Sequence, residues 1–156
     1  MQSNPKAQSS ATEPSAALYD QDLSAWAAHN AQLLRNGQFN DLDIEHLIEE
    51  LDDMGKSEQH AIVIHMRNLL MHLLKWQFQA SLRTSSWRYS IVNARIEIAD
   101  LLSASPSLQR LPQTELPRVY LQARRLASTE TGLPPTTFPS TCPYELEQVL
   151  DEEWLP

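Results

Sequence analysis

Cysteine and long apolar runs are scarce in this sequence, and each scarcity excludes a class of protein. Cys142 is the only cysteine among 156 residues, so no disulfide can form within the chain and nothing indicates an oxidising compartment. A membrane-spanning helix requires roughly 18 consecutive apolar residues. The richest apolar segment, HMRNLLMHLLKWQF, is interrupted by charged residues and histidines. We therefore expect a soluble, cytoplasmic protein without a membrane partner.

The common catalytic signatures are also missing. The sequence contains no G-x-S-x-G motif, phosphate-binding loop, dinucleotide fingerprint, H-E-x-x-H motif or cysteine pair. Cys142 lies between a threonine and a proline, with no neighbour that would lower its thiol pKa, which disfavours a nucleophilic role. Whether the protein is an enzyme is left open by its sequence.

Basic residues are absent from the last 31 positions, and charges of one sign are grouped into segments along the chain. Acidic and basic side chains number 11 and 3 in residues 1–60, 3 and 9 in residues 61–125, and 6 and none in residues 126–156. The net charge of −8 disfavours a protein that coats nucleic acid. Two interpretations of the blocks stay open. Acidic helices pack beside the basic ones and cancel their fields, or the basic block forms a face that binds a polyanion.

The first sixteen residues differ in composition from the remainder. They lack the aliphatic side chains that could bury surface and the apolar stretch of a secretory signal. We expect a disordered tail over residues 1–16 and a single helical domain over residues 17–156.

Apolar residues recur at helical spacing through most of that domain. Gly37 and Gly55 look like helix ends, and Asp20 or Asp22 and Ser57 like helix caps. The pattern predicts helices over about residues 20–36, from Asp43 to before Gly55, from Ser57 to about Gln79, from Ser85 or Ser86 to Ser105, and over 113–128.

Prolines dominate the segment that follows Gly132. Four prolines in ten residues predict an extended strap that packs back onto the helices, followed by a short helix from Tyr144 to Leu150. No convincing β-alternation and no internal repeat occur. The predicted fold is all-α, a compact bundle of about five helices with a proline-rich C-terminal strap and a short terminal helix.

Motifs in the second half of the chain have a distinctive order. MHLLKWQ is followed by SWR, then by TGLP, FP, CPY and a closing LP, and the similarity extends from Leu18 to Pro156. In this pattern the sequence resembles the domain-of-unknown-function 29 family. The resemblance implies a compact α-helical protein found mainly in bacteria. It implies no reaction and no catalytic residues, because the family has no assigned activity.

Acidic residues and a histidine are concentrated at the start of the second predicted helix. His46, Glu50 and Asp53 lie four and three residues apart, on one helical face. With a histidine from the next helix they would form a carboxylate and histidine set that binds a divalent metal. We predict no other cofactor. The residues of this hypothesis are His46, Glu50, Asp53, His65 and His72.

A solvated acidic face is the competing interpretation of the same segment. Leu47, Ile48 and Leu51 form an apolar stripe, which predicts that their side of the helix is buried and that the acidic side faces solvent. For His65 and His72, a hydrogen-bonded polar seam beside the core competes with an acid-base pocket.

Basic and aromatic residues alternate in the middle of the chain. Phosphate contact and base stacking both need such a mixture, which gives a polyanion-binding hypothesis for Lys75, Arg83, Arg88 and Arg95. However, the nearby tryptophans lie on apolar stripes, where burial in the core is the commoner outcome.

The sequence therefore favours a small helical binding or interaction module with an unknown protein partner. A metal-assisted hydrolase or nuclease is the first alternative, and nucleic-acid binding through the basic central helices is the second.

Overall fold

Helix is the dominant structure between residues 13 and 156, the part of the chain that the computed structural model describes. Short 3₁₀ turns connect the helices, and no strand occurs in this range. The all-α prediction is confirmed. The six α-helices are α1 (Glu13–Gln21), α2 (Leu23–Arg35), α3 (Ile44–Phe78), α4 (Ser85–Ala104), α5 (Leu111–Thr131) and α6 (Leu146–Leu150).

The predicted tail is only partly within the described range. Residues 1–12 lie outside it, whereas residues 13–16 belong to α1. Ser15 is buried and accepts a hydrogen bond from Asn30 Nδ2 at 3.3 Å. These four residues are thus helical, and one of them packs against α2.

The helix ends follow local capping chemistry. Asp22 caps α2 by accepting a hydrogen bond from the Ala25 N–H at 2.9 Å. Thr84, one residue before the predicted serines, caps α4 through the Trp87 N–H at 3.2 Å. At the other end of a helix, Gly132 terminates α5 with φ of +71°, a left-handed conformation in which a Cβ would be strained.

The expected helix break at Gly55 was wrong. α3 runs through this glycine for 35 residues, so the second and third predicted helices are one. A glycine inside a helix costs only about 1 kcal/mol relative to alanine. The neighbouring glutamate, lysine and glutamine residues are good helix formers, and their propensity outweighs that cost.

Two compact units are distinguished by their internal contacts. One ends at Gly55 and the other comprises Lys56–Pro156, so the boundary falls within α3. The prediction of a single domain over residues 17–156 stays a prediction.

The larger unit has an apolar core built from three helices and the strap. Its buried side chains include one apolar face of the second half of α3, together with residues of α4, α5 and the C-terminal segment. Representative members are Ile62, Met66, Leu69, Leu73, Ile91, Ile98, Val119, Tyr120, Phe138, Tyr144 and Val149.

Polar contacts hold the strap against α5. Tyr120 Oη donates to the Pro139 carbonyl at 2.7 Å, and Arg124 donates to the carbonyls of Phe138 and Pro135 at 3.2 and 2.7 Å. The strap was expected to pack back onto the helices, and it does so with Phe138 2 % exposed. Of the helices described, none is both long and apolar enough to cross a membrane.

Candidate functional site

The first turns of α3 expose their apolar face. Four large apolar side chains there are between 51 and 66 % exposed: Ile44, Ile48, Leu51 and Met54. We call these four residues the α3 stripe. The expectation that Ile48 and Leu51 are buried was therefore wrong. The physical reason lies in the hydrogen bonds that the polar side of the same helix makes.

A hydrogen-bonded clamp fixes the rotation of α3 about its axis. Asp43, 5 % exposed, accepts a hydrogen bond from Trp26 Nε1 at 3.0 Å, and its own N–H donates to Asn30 Oδ1 at 3.1 Å. His46 Nδ1 lies 2.8 Å from the same carboxylate oxygen, Oδ2. Leaving buried polar groups such as these without partners would cost roughly 1–3 kcal/mol each, and more for a charged group. The clamp thus turns the polar side of α3 toward α2.

Tyr19 completes this polar and aromatic cluster. Its ring stacks on His46, with centroids 4.0 Å apart, and meets Trp26 edge-on at 5.0 Å. Its hydroxyl donates to Glu50 Oε1 at 2.7 Å. The bond to Glu50, with burial and nearby carboxylates, raises the pKa of Tyr19 to about 12. We call Tyr19, Trp26, Asp43, His46 and Glu50 the Asp43 cluster.

The charges of the pair at its centre support each other. Burial by itself would raise the pKa of Asp43, but the hydrogen bonds from Trp26 and His46 outweigh it and lower the pKa. The bond to Asp43 raises the pKa of His46 above its ordinary value, helped by Glu49 and Asp20. Each group of the pair therefore favours the charged form of the other, an imidazolium beside a carboxylate.

This pairing predicts a pH dependence of stability. Since the pKa of His46 is raised from 6.5, the stabilisation from its charged form is complete below pH 6.5 and is lost as pH rises through the raised pKa. Since the pKa of Asp43 is lowered from 3.8, its contribution is complete above pH 3.8 and is lost as pH falls through the lowered value. NMR titration of the His46 ring should give a pKa above 6.5, which Asp43→Asn should lower. An unchanged pKa in that variant would contradict the pairing.

The residues of the metal hypothesis all lie on α3. His46 directs Nδ1 to Asp43, Glu50 accepts from Tyr19, and Asp53 is exposed. Burial lowers the pKa of His72, whose Nδ1 is 2.8 Å from the Asn68 carbonyl. His65 is half-buried on the same helix. In residues 13–156 no three histidine, cysteine, aspartate or glutamate side chains form a group that could hold a metal ion. The metal site stays a prediction.

The four residues of the polyanion hypothesis have different environments. Lys75 is buried, bonded to Glu130 at 2.6 Å, and lies 4.5 Å from the centre of the Trp87 ring. Arg95 is buried and bonded to backbone carbonyls. Arg83 is exposed but folds over Trp76, and Arg88 is exposed. Two of the four side chains therefore face solvent, and the polyanion hypothesis stays a prediction.

Cys142 lies in the wall of an apolar cleft of about 410 Å³ between α5 and the strap. The thiol is 3.5 Å from the Tyr144 carbonyl, and burial raises its pKa. A raised pKa lowers the fraction of reactive thiolate.

Sequence reasoning found part of the Asp43 cluster and missed its aromatic side. His46 and Glu50 were singled out by their helical spacing, whereas Tyr19 and Trp26 come from α1 and α2. The available signal was a tryptophan that precedes the acidic helix. Since a buried indole N–H requires an acceptor, it indicates a contact with one of the carboxylates.

These features define a class of small, all-helical proteins in which a clamped acidic helix presents an apolar stripe. Residues 18–155 match the sequence model of the family described as Domain of unknown function DUF29, and the chain belongs to this family. A search of curated proteins and a search of solved structures each found no match.

Proposed function

We propose that this protein is an interaction module, and that it binds a basic, amphipathic helix of a partner protein through the α3 stripe. The observation that carries the proposal is the exposure of four large apolar side chains on one helical face, held outward by the Asp43 cluster. Contiguous exposed apolar surface on a folded protein is typical of a binding site.

Charge beside the stripe indicates the chemistry of the partner. At 3.6 residues per turn, Glu45, Glu49 and Asp52 follow one edge of the stripe, and all three are exposed. The stripe also lies in the first, most acidic block of the sequence. A partner helix with leucines on one face and lysines or arginines along its border would match both features. A second copy of this chain would instead bring the same carboxylates to the interface.

Binding of a defined peptide tests the proposal. The probe is a labelled helical peptide with leucines at i, i+3, i+4 and i+7 and flanking lysines, titrated with the full chain by fluorescence anisotropy. Leu51→Asp and Ile48→Asp should each weaken binding at least about tenfold, because burial of one such side chain contributes roughly 1.5–3 kcal/mol. Ile96→Asp is the matched control, since Ile96 is 48 % exposed on α4, and should bind as the unchanged protein does.

The negative charge of the introduced aspartate distinguishes apolar docking of the peptide from binding by electrostatic attraction alone. Each variant makes the protein more acidic, so a peptide held only by charge would bind the stripe variants as well as or better than the parent. Equal binding by Leu51→Asp and Ile96→Asp would overturn the proposal. Self-association that Leu51→Asp abolishes, without peptide binding by the parent, would instead assign the stripe to a second copy.

A further inference from the structure

A second, chemically different site lies within the larger unit. A cavity of about 290 Å³ opens between the second half of α3 and α5. Its lining includes the cationic side chains of Lys56, Arg67 and Arg118 and a single carboxylate, Glu115. We call it the Arg67 cavity, and it shares no residue with the α3 stripe or the Asp43 cluster.

The charges in the Arg67 cavity are unbalanced. Arg118 pairs with Glu115, with Nε 2.6 Å and Nη2 2.5 Å from Oε2. Since that contact uses the one carboxylate of the lining, Arg67 gives the cavity a positive charge that no lining carboxylate balances, in a chain whose net charge is −8. A concave surface with surplus positive charge concentrates small anions.

Two buried polar atoms of the lining point to specific ligand groups. Arg67 Nε, a donor, and Gln122 Oε1, an acceptor, are both buried, and within residues 13–156 neither has a hydrogen-bond partner. Buried polar groups in folded proteins are nearly always hydrogen-bonded, so an unmatched donor and acceptor lining the same cavity require an explanation. A ligand with an anionic oxygen and a hydroxyl group supplies the two missing partners.

Val63 and Leu111 add an apolar part to the lining. We propose that the Arg67 cavity binds a small phosphomonoester that carries hydroxyl groups, such as a sugar phosphate. Arg67, with Arg118, holds the phosphate, Gln122 accepts a hydrogen bond from a hydroxyl, and the carbon skeleton rests on the apolar side chains. A phosphomonoester carries close to two negative charges and three strong acceptor oxygens at neutral pH, which suits the guanidinium groups of Arg67 and Arg118 better than a monocarboxylate does.

Calorimetric titration of the full chain with ribose 5-phosphate tests the assignment, with ribose and inorganic phosphate as comparison ligands. Ribose 5-phosphate should bind, ribose should not, and inorganic phosphate should bind more weakly. Arg67→Met should weaken binding of both phosphates at least about tenfold. Gln122→Met should weaken ribose 5-phosphate alone, since inorganic phosphate lacks the sugar hydroxyls.

Arg35→Met is the matched control, because it removes the same charge from an exposed position on α2. It should leave the affinities for ribose 5-phosphate and inorganic phosphate unchanged.

Thermal unfolding then shows whether Arg67 is needed for binding or for the stability of the fold. Since Arg67 Nε has no partner among the described residues, Arg67→Met should unfold at the same temperature as the parent or higher. Absence of ribose 5-phosphate binding, or equal binding by Arg67→Met and Arg35→Met, would overturn the proposal. Loss of ribose 5-phosphate binding in Arg67→Met together with a lowered unfolding temperature would also overturn it.

Discussion

Replacing Arg95 with methionine is expected to lower the free energy of unfolding by about 3–5 kcal/mol, as measured by chemical denaturation. Arg95 is only 3 % exposed. Its guanidinium donates to the carbonyls of Val149 at 2.9 Å, Glu152 at 3.2 Å and Trp154 at 2.9 Å. Methionine preserves most of the side-chain volume but leaves these carbonyls without their donor. The C-terminal segment would then lose the polar contacts that join it to α4.

Arg88→Met provides the control on the same helix. Arg88 is exposed, so its replacement should change stability by less than about 0.5 kcal/mol. Arg95→Lys should be intermediate, because an ammonium keeps the charge but cannot reproduce the planar set of donors. Equal stabilities of the Arg95→Met and Arg88→Met proteins would show that the carbonyl contacts do not stabilise the fold.

Replacing Asp43 with alanine should destabilise the smaller unit by about 2–4 kcal/mol. The substitution removes the acceptor of the buried Trp26 indole N–H and the partner of His46 together. The NMR signal of the Trp26 indole proton should shift, and unfolding followed by that signal should occur at lower denaturant concentration. Loss of the clamp should also free α3 to turn its stripe inward, which would weaken binding at that face.

Asp52→Ala is the matched control for this prediction. Asp52 is an exposed carboxylate on the same helix, so its removal should leave both the indole signal and the stability nearly unchanged. Asp43→Asn keeps one acceptor oxygen for the indole and should be intermediate. A Trp26 signal that is identical in Asp43→Ala and in the parent would contradict the clamp.

Most of the fold could be predicted because apolar spacing and capping residues are local signals. Ile62, Met66 and Leu69 recur at helical spacing in the sequence, and all three lie on the buried face of α3. Gly55 could not be placed correctly from sequence, since a glycine both ends helices and is tolerated inside them. The choice depends on the summed propensity of its neighbours.

The candidate site was predictable only in part, for a physical reason. The apolar stripe at Ile48 and Leu51 predicted burial of the wrong face, because hydrophobic periodicity ignores hydrogen bonds to other elements. The Asp43 carboxylate binds an indole 17 residues away, and this contact decides the orientation of the helix. Arg67 and Gln122 could not have been paired from sequence at all, since they lie on different helices.

The contacts of Arg95 also constrain the order in which the protein can fold during its synthesis. A ribosome adds roughly 5–20 residues per second, and Trp154 follows Arg95 by 59 positions. The last carbonyl that accepts from the Arg95 guanidinium is therefore synthesised roughly 3–12 s after Arg95 itself. Until then the charge of Arg95 is best accommodated in water, and α4 cannot take its final place in the core. The Asp43 cluster has all its members once Glu50 has been made, 31 residues after Tyr19. A nascent chain can therefore finish its acidic unit early, while the larger unit stays incomplete until residues 148–154 emerge.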